Sequence, residues 1–166
     1  MKLDAASEDE FIATMTPLFE GAPRFLRRLA AARPLGSVDA LFERARDIAT
    51  AMPEEEQIEL VDAHPRLGAT PNSVSALSYV EQGYDKAADG TPNIAAELER
   101  LNDAYEKRFG FRYCVFVAGR SREALLPNMR AALDADRAAE LRRGLLAVVD
   151  IARDRYNKIA REAAPR

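Results

Sequence analysis

Ala63-His64-Pro65-Arg66-Leu67-Gly68 is the stretch around which this chain is organised. Pro65 disfavours helical geometry at the residue before it and lacks the N–H that a helix would use, so a helix must end at His64. Gly68 then permits a tight turn. His64 is the only histidine in the chain, and histidine is the side chain whose unperturbed pKa lies near neutrality. The stretch predicts an imidazole held at a helix end, either as a structural cap or as a group aimed at a ligand.

Helical patterns with capping signals lie on both sides of this stretch. The residues predicted to cap or open the helices are, in chain order, Ser7, Pro23, Ser37, Pro53, Ser75, Ile94, Ser121 and Asp136. Pro127 lies inside the seventh pattern, so that helix is expected to kink or to restart there. Loops are expected over residues 65–74 and from residue 83 to about 93. We therefore predict an all-α, single-domain bundle of about eight helices over residues 1–166.

One segment does not fit a helical pattern. Residues 111–117, Phe-Arg-Tyr-Cys-Val-Phe-Val, are β-prone and mostly apolar, but no second strand candidate exists to pair with them. We predict an extended, buried segment threaded through the bundle. Its backbone N–H and C=O groups then lack a sheet partner and must be satisfied by side chains, water or a ligand. The segment is therefore a candidate wall of a binding site.

Composition and net charge are typical of an ordinary globular domain and argue against a nucleic-acid-binding protein. The chain has 166 residues, 48% of them hydrophobic and 31% charged, as in an ordinary globular domain. A net charge of −3 argues against nucleic acid as the main partner. The basic runs at residues 24–28 and at Arg142-Arg143 are interpreted as solvated helix faces.

Cysteine and hydropathy patterns bear on metals, membranes and location. One histidine and one cysteine cannot supply the usual zinc ligands, so no metal is expected. The single Cys114 cannot form an internal disulfide and has apolar neighbours, which predicts a buried thiol in a reducing compartment. No apolar run is long enough to cross a membrane, and the first residues are acidic without an apolar signal core. We therefore expect a cytoplasmic protein without a membrane partner.

A charged residue falls on the buried stripe of the last helix. Arg155 lies three residues after Ala152 and four before Ile159, both apolar stripe positions. A guanidinium turned toward an apolar interior needs an anionic or hydrogen-bonding partner. Glu81, itself on a stripe with Leu77 and Tyr84, is one candidate. The sequence leaves two interpretations open: an internal salt bridge or a clamp for an anionic ligand.

Three stretches together resemble the 2-oxo-4-hydroxy-4-carboxy-5-ureidoimidazoline (OHCU) decarboxylases. They are the turn at residues 63–68, Ser78-Tyr79-Val80-Glu81-Gln82, and Leu101-Asn102-Asp103-Ala104-Tyr105 leading into Arg108-Phe109-Gly110-Phe111. Order and spacing agree from about Phe11 to Ile159. The resemblance implies an all-helical enzyme without a cofactor, usually a homodimer. The implied reaction converts the small molecule OHCU to (S)-allantoin, the last step of urate oxidation.

The resemblance also implies which residues act. His64 would be the catalytic acid or base, with Glu81 and Arg155 as further catalytic groups. The substrate would be contacted by Pro65, Ser78, Tyr79, Val80, Glu81, Gln82 and Arg155, and by the backbone of Tyr113, Cys114, Val115, Phe116 and Val117.

Three positions depart from the family pattern. Arg112 stands where proline is common, Tyr156 follows Arg155 in place of leucine, and Gly83-Tyr84 follows Gln82. These departures leave open a related lyase that acts on a different ureido or oxo acid. The other alternative is a non-catalytic helical binding or regulatory domain, in which His64 is a cap and Arg155 pairs internally with Glu81.

Overall fold

The computed structural model describes residues 2–69, 75–82 and 92–163. These residues form eight α-helices and no β-strand, which confirms the predicted all-α bundle. The helices are α1 (Glu8–Phe19), α2 (Pro23–Ala31), α3 (Val38–Ala51), α4 (Glu54–Asp62), α5 (Ala76–Glu81), α6 (Pro92–Phe109), α7 (Arg122–Ala132) and α8 (Arg137–Glu162). The predictions for Gly83 and Tyr84, and for the loops at 70–74 and 83–91, fall outside the described residues.

Most predicted capping residues begin the helices as expected, but α6 already includes Pro92 and Asn93, where a loop was expected. Ser7 and Glu10 form a reciprocal capping box at α1, and Pro23 occupies the first turn of α2. Side-chain oxygens of four further residues accept an amide of the first turn of α3, α5, α7 and α8: Ser37, Ser75, Ser121 and Asp136. α7 runs unbroken past Pro127, so it does not restart there, because a proline gives up only one internal hydrogen bond.

α8 is the central helix of the bundle. Its 26 residues pack against α1, α3 and α4, so several of its faces are buried at once. Val148, Val149 and Ala152 are fully buried there. The same surroundings enclose Arg155 one turn later, at 1% exposure. None of the described helices is long and apolar enough to span a lipid bilayer.

The basic run at residues 24–28 is not simply solvated. Arg24 pairs with Glu59 at 2.5 Å, and Arg28 pairs with Glu56 at 2.5 Å. These pairs join α2 to α4 at a partly exposed surface, where each contributes little to stability. Their effect is to fix the direction of α4, whose end carries His64.

Residues 112–117 are neither helix nor strand, as predicted, and link α6 to α7. An aromatic cluster anchors the start of this segment. Tyr105 on α6 lies between Phe109, Phe111 and Tyr113, with ring centroids 4.6, 5.8 and 5.1 Å away. Such clusters combine large buried area with preferred ring geometry. The segment is therefore held at its beginning and passes alongside α8.

Candidate active site

A cavity of about 360 Å³ lies where α4, α5, the extended segment and the second half of α8 converge. Its volume suits a small organic molecule. The lining residues come from four parts of the chain: His64, Pro65 and Leu67; Ser78, Glu81 and Gln82; residues 113–119; and Ile151, Asp154, Arg155 and Lys158.

The structure brings together all the predicted site residues except Tyr79 and Val80. Ser78 and Glu81 are three residues apart and share one face of α5, whereas the two residues between them do not line the cavity. Val80 is 57% exposed. Helix geometry thus corrects the expectation that every residue from 78 to 82 would face the cavity.

His64 is buried, at 4% exposure, just beyond the end of α4. Its Nδ1 lies 3.4 Å from the carbonyl oxygen of Leu60, a long contact that favours the tautomer with hydrogen on Nδ1. Nε2 is buried and has no hydrogen-bond partner among the described residues. This atom is therefore free to accept a proton or hydrogen bond from a bound molecule.

The charge of His64 is set by its surroundings. Burial, assisted by the positive charge of Arg155, lowers its pKa from 6.5 to about 4, against opposing contributions from Glu20 and the Leu60 carbonyl. The imidazole is neutral at pH 7 as a result. The resemblance implied a catalytic acid or base at this position, and the neutral imidazole is the form that accepts a proton.

Arg155 and Glu81 form a two-pronged ion pair. Nε and Nη2 of the guanidinium donate to the two carboxylate oxygens of Glu81 at 2.7 and 2.8 Å. Nη1 donates to the Pro17 carbonyl at 2.8 Å, and Nη2 also donates to Ser78 Oγ at 3.0 Å. The structure therefore contains the internal salt bridge that the sequence left as one interpretation. Every guanidinium nitrogen already has an acceptor within the protein, which makes Arg155 an internal anchor for these groups.

Glu20, which the sequence did not indicate, is the third charge of this network. It follows α1 with a left-handed backbone (φ 57°) and lies 2.8 Å from Arg155 Nη2. It also accepts hydrogen bonds from the hydroxyls of Ser75 and Ser78, both at 2.7 Å. Burial opposes its ionisation, but these hydroxyls and Arg155 outweigh that effect and lower the pKa. The available sequence signal is an acidic residue at a helix C-terminus, where the dipole disfavours it unless it is paired.

The loop after His64 is fastened by amide side chains. Gln82 Oε1 accepts from the Gly68 amide at 2.7 Å, and Gln82 Nε2 donates to the Arg66 carbonyl at 3.2 Å. Asn102 Nδ2 donates to the Leu67 carbonyl at 2.9 Å. At Gly68, a φ of 79° favours glycine, and a Cβ there would lie 3.0 Å from Leu98 Cδ1, which would have to shift. Gln82 thus lines the cavity but uses its amide to hold this loop.

Arg112 fastens the end of α4 from the other side. Its Nη1 donates to the carbonyls of Asp62 and His64 at 2.8 and 3.2 Å. Its backbone amide donates to Asp62 Oδ1 at 2.8 Å. Carbonyls at a helix C-terminus lack internal partners and favour a cation. The residue that departs from the family pattern therefore holds the backbone of His64.

In residues 113–117 of the extended segment, carbonyls are bonded to arginine side chains, whereas the amides are not bonded to any described residue. Arg143 donates to the Cys114 carbonyl at 2.9 Å, and Arg120 donates to the Phe116 carbonyl at 2.6 Å. The amides of residues 113–117 have no acceptor within the described part of the chain. The Cys114 thiol is buried, as predicted, and burial raises its pKa to about 12. This wall offers hydrogen-bond donors rather than a nucleophile.

At the rim, Lys158 and Asp154 form an ion pair of 2.6 Å on successive turns of α8. Across residues 2–69, 75–82 and 92–163, no group of three histidine, cysteine or acidic residues could hold a metal ion. The site therefore combines a neutral base, a carboxylate fixed by a guanidinium, and a row of amide donors. Such a set can move protons and stabilise charge in a bound molecule.

Comparison with known proteins gives this site a context. The sequence model of the OHCU decarboxylases matches residues 4–157. The chain belongs to the OHCU decarboxylase family.

Relatives of this family agree along most of the chain. A uric acid degradation bifunctional protein of Bacillus subtilis is 31% identical over 149 residues, covering 90% of this chain and 30% of the relative. A second bifunctional protein, from Bacillus sp. (strain TB-90), is 27% identical and is covered to 32%. The chain thus spans about a third of the length of these two relatives. An OHCU decarboxylase of Haloferax volcanii is 27% identical over 91% of this chain and 89% of its own length.

Solved structures share the fold. An OHCU decarboxylase crystallised in the presence of (S)-allantoin superposes with a TM-score of 0.71 at 22% identity, covering 93% of this chain and 98% of the other. An (S)-allantoin synthase gives a TM-score of 0.68 at 16% identity, covering 95% of this chain and 52% of the other. Among the departures from the family, Tyr156 packs edge-on against Phe42, with ring centroids 5.8 Å apart, and does not line the cavity.

Proposed function

We propose that this cavity decarboxylates OHCU to (S)-allantoin in the degradation of urate. Membership of the OHCU decarboxylase family supports this reaction. The observation that carries it is the neutral imidazole of His64, whose buried Nε2 has no described partner, in a small cavity shared with Glu81.

The chemistry of the substrate explains what the site must supply. By its name, OHCU carries a hydroxyl and a carboxylate on ring carbon C4, next to C5, which is doubly bonded to a ring nitrogen. When the bond from C4 to the carboxylate breaks, its electron pair forms a C4=C5 bond. The electrons of the C5=N bond move to the ring nitrogen, which takes a proton from water. The ring thus holds the electrons that departing CO₂ leaves behind.

His64 then completes the reaction by moving one proton. Its neutral Nε2 accepts the proton of the C4 hydroxyl as that group becomes a carbonyl. The imidazolium so formed donates a proton to C5, which creates the C5–H bond on one face only and hence one enantiomer. Over the whole reaction, one proton is consumed and one CO₂ is released. Positioned proton transfer of this kind typically contributes ~10²–10⁴-fold to a rate.

The neighbouring groups orient the substrate and its charge. Each oxygen of Glu81 keeps a lone pair beside its bond to Arg155, so the carboxylate can accept the N–H groups of the ureido arm. The backbone amides between Tyr113 and Val117 donate to the ring. Pro65, Ser78, Cys114 and Phe116 shape the remaining wall. Arg155, Glu20 and Gln82 act as positioning residues, because their polar groups are already bonded within the protein.

We also propose that residues 1–166 fold as one domain that acts as a homodimer in the cytoplasm. The single unpaired cysteine supports a reducing compartment. Val80 on α5 and Ile159 on α8 are large apolar side chains that stay 57% and 46% exposed, and a second subunit would cover such residues. Sedimentation equilibrium should give twice the chain mass. A monomer at micromolar concentration would contradict the homodimer.

The activity is tested with freshly generated OHCU and circular dichroism, which detects chiral allantoin. Added protein should accelerate loss of OHCU and produce an excess of the (S) enantiomer. Unchanged decay with a racemic product would favour the alternative of a non-catalytic domain. A related ureido acid that turns over faster than OHCU would favour the alternative of a different lyase.

A further inference from the structure

Arg143 lies behind the cavity wall, on α8, and does not line the cavity. The sequence suggested a solvated face for Arg142 and Arg143, but only Arg142 is exposed. Nη1 of Arg143 donates to the Cys114 carbonyl at 2.9 Å. Its guanidinium carbon lies 4.9 Å from the centre of the Tyr113 ring, in a cation–π contact. Arg143 therefore holds both the backbone and a side chain of the extended segment.

Two buried residues brace Arg143 from the far side. Glu140, at 3% exposure, accepts from Nε and Nη2 of Arg143 at 2.9 and 2.6 Å. The same oxygen of Glu140 accepts from the Tyr105 hydroxyl at 2.8 Å. Burial and Glu140 raise the pKa of Tyr105, so its hydroxyl stays protonated and donates at any working pH. The Arg143 side chain is 37% exposed, so this pair is only partly buried, but its two charge-assisted hydrogen bonds fix the direction of the guanidinium.

Peptide geometry links Arg143 to the cavity. In a trans peptide, the carbonyl of one residue and the amide of the next point in opposite directions, and the only cis bond among the described residues is Arg33-Pro34. Arg143 binds the Cys114 carbonyl from outside the cavity, so the amide of Val115 points to the opposite side. Val115 lines the cavity, and its amide has no acceptor among the described residues.

The neighbouring peptide unit repeats this arrangement. Arg120 binds the Phe116 carbonyl at 2.6 Å, and Arg120 also lies outside the cavity lining. The amide of Val117 belongs to the same peptide unit and points away from that arginine. Two arginines thus orient two donors in one wall.

We propose that Arg143, braced by Glu140 and Tyr105, is a positioning residue that turns the Val115 amide toward the bound substrate. This inference rests on the function proposed above. The amide donates to the 2-oxo group, which is conjugated with the ring nitrogen that receives the electrons and therefore shares the negative charge as CO₂ leaves. A donor on the carboxylate would stabilise the ground state, whereas a donor on the ring stabilises the transition state and raises kcat.

Arg143→Met tests the proposal, because methionine keeps an apolar stem against Tyr113 but removes every donor. We expect kcat to fall by ~10- to 100-fold, somewhat less than the loss of a whole oxyanion-hole donor. KM should change by less than about twofold, since the lost interaction belongs to the transition state. Arg143→Lys keeps the positive charge but loses the forked set of guanidinium donors, so its kcat should lie between those of the wild type and Arg143→Met. Arg142→Met is the matched control and should behave as wild type.

A second readout does not depend on turnover. In ¹⁵N-labelled wild-type protein, the Val115 amide resonance should shift when (S)-allantoin is added, and the shift should be lost in Arg143→Met. If Arg143→Met does not fold, Tyr105→Phe is the variant that tests the proposal. A lower kcat at unchanged KM in Tyr105→Phe would support the role of Tyr105 in bracing Arg143.

Failure of the proposed function and failure of the proposed role of Arg143 would give different results. Absence of OHCU turnover by the wild type would refute the proposed function. Normal turnover by the wild type, with wild-type kcat in Arg143→Met and in Tyr105→Phe, would overturn the role of Arg143 alone.

Discussion

The imidazole of His64 owes its chemistry to the residues that surround it. An exposed histidine is largely deprotonated at pH 7 but charges readily below its pKa of about 6.5. At 4% exposure and close to Arg155, His64 keeps its neutral form to about pH 4. His64 therefore remains neutral and available as a base between about pH 6.5 and 4, where an unperturbed histidine becomes protonated.

The titration of His64 can be measured directly because the chain has one histidine. Imidazole resonances in NMR spectra should titrate with a pKa near 4 in the ligand-free protein. Between pH 6.5 and 4 the unfolded chain binds a proton that the folded chain does not, so the free energy of unfolding should fall as the pH falls through this range. A measured pKa near 6.5 would mean that the imidazole is solvated.

At the scale of elements, α5 is held by polar groups rather than by core packing. Glu20 accepts from Ser75 and Ser78, and Arg155 binds Ser78 and Glu81. Each of these bonds reaches α5 from α8 or from the end of α1. The position of Glu81 in the cavity thus depends on a charge on a different helix.

Glu20→Gln should loosen α5. Glutamine keeps an acceptor but loses the charge that pairs with Arg155, and breaking a buried pair on one side costs about 3–5 kcal/mol when no compensation follows. We expect faster hydrogen exchange at the α5 amides of Tyr79 and Gln82, and a lower kcat/KM. Glu43→Gln, at an exposed position on α3, is the control. Unchanged exchange at both amides would show that Glu20 does not fasten α5.

The sequence predicts these elements better than it predicts their connections. Capping at Ser7 and Asp136 and the end of α4 before Pro65 follow from local rules, and the structure has them. The roles of Glu20 and Arg143 were not predicted, because the groups that define them lie far away along the chain: Arg155 for Glu20, and the Cys114 carbonyl for Arg143. The lowered pKa of His64 was not predicted either, because its burial depends on how helices that are distant in sequence pack together.

At the scale of the whole molecule, α8 joins the core to the site. Gly144 in its first half packs close to Val61 of α4, and its second half carries Arg155 into the cavity. Gly144 and Leu145 are both buried in the first half of this helix. Stability and site geometry therefore share one element, although different residues serve each.

Leu145→Ala should measure the contribution of α8 to stability separately from its contribution to the geometry of the site. Leu145 is 1% exposed, so truncation removes apolar contact and leaves a cavity, at a cost of about 2–5 kcal/mol in the free energy of unfolding. Asn157→Ala on the same helix, at an exposed position, should change it by less than about 0.5 kcal/mol. Urea denaturation measures both. Equal effects would contradict the central placement of α8.

The most direct test of the proposed chemistry is His64→Asn, assayed by circular dichroism with freshly generated OHCU. Asparagine removes the basic Nε2 and leaves the turn at Pro65 in place, so the variant should keep the wild-type helical content. We predict that OHCU then decays at its spontaneous rate and that the allantoin formed is racemic. Enantioselective formation of (S)-allantoin at the wild-type rate would contradict the role of His64.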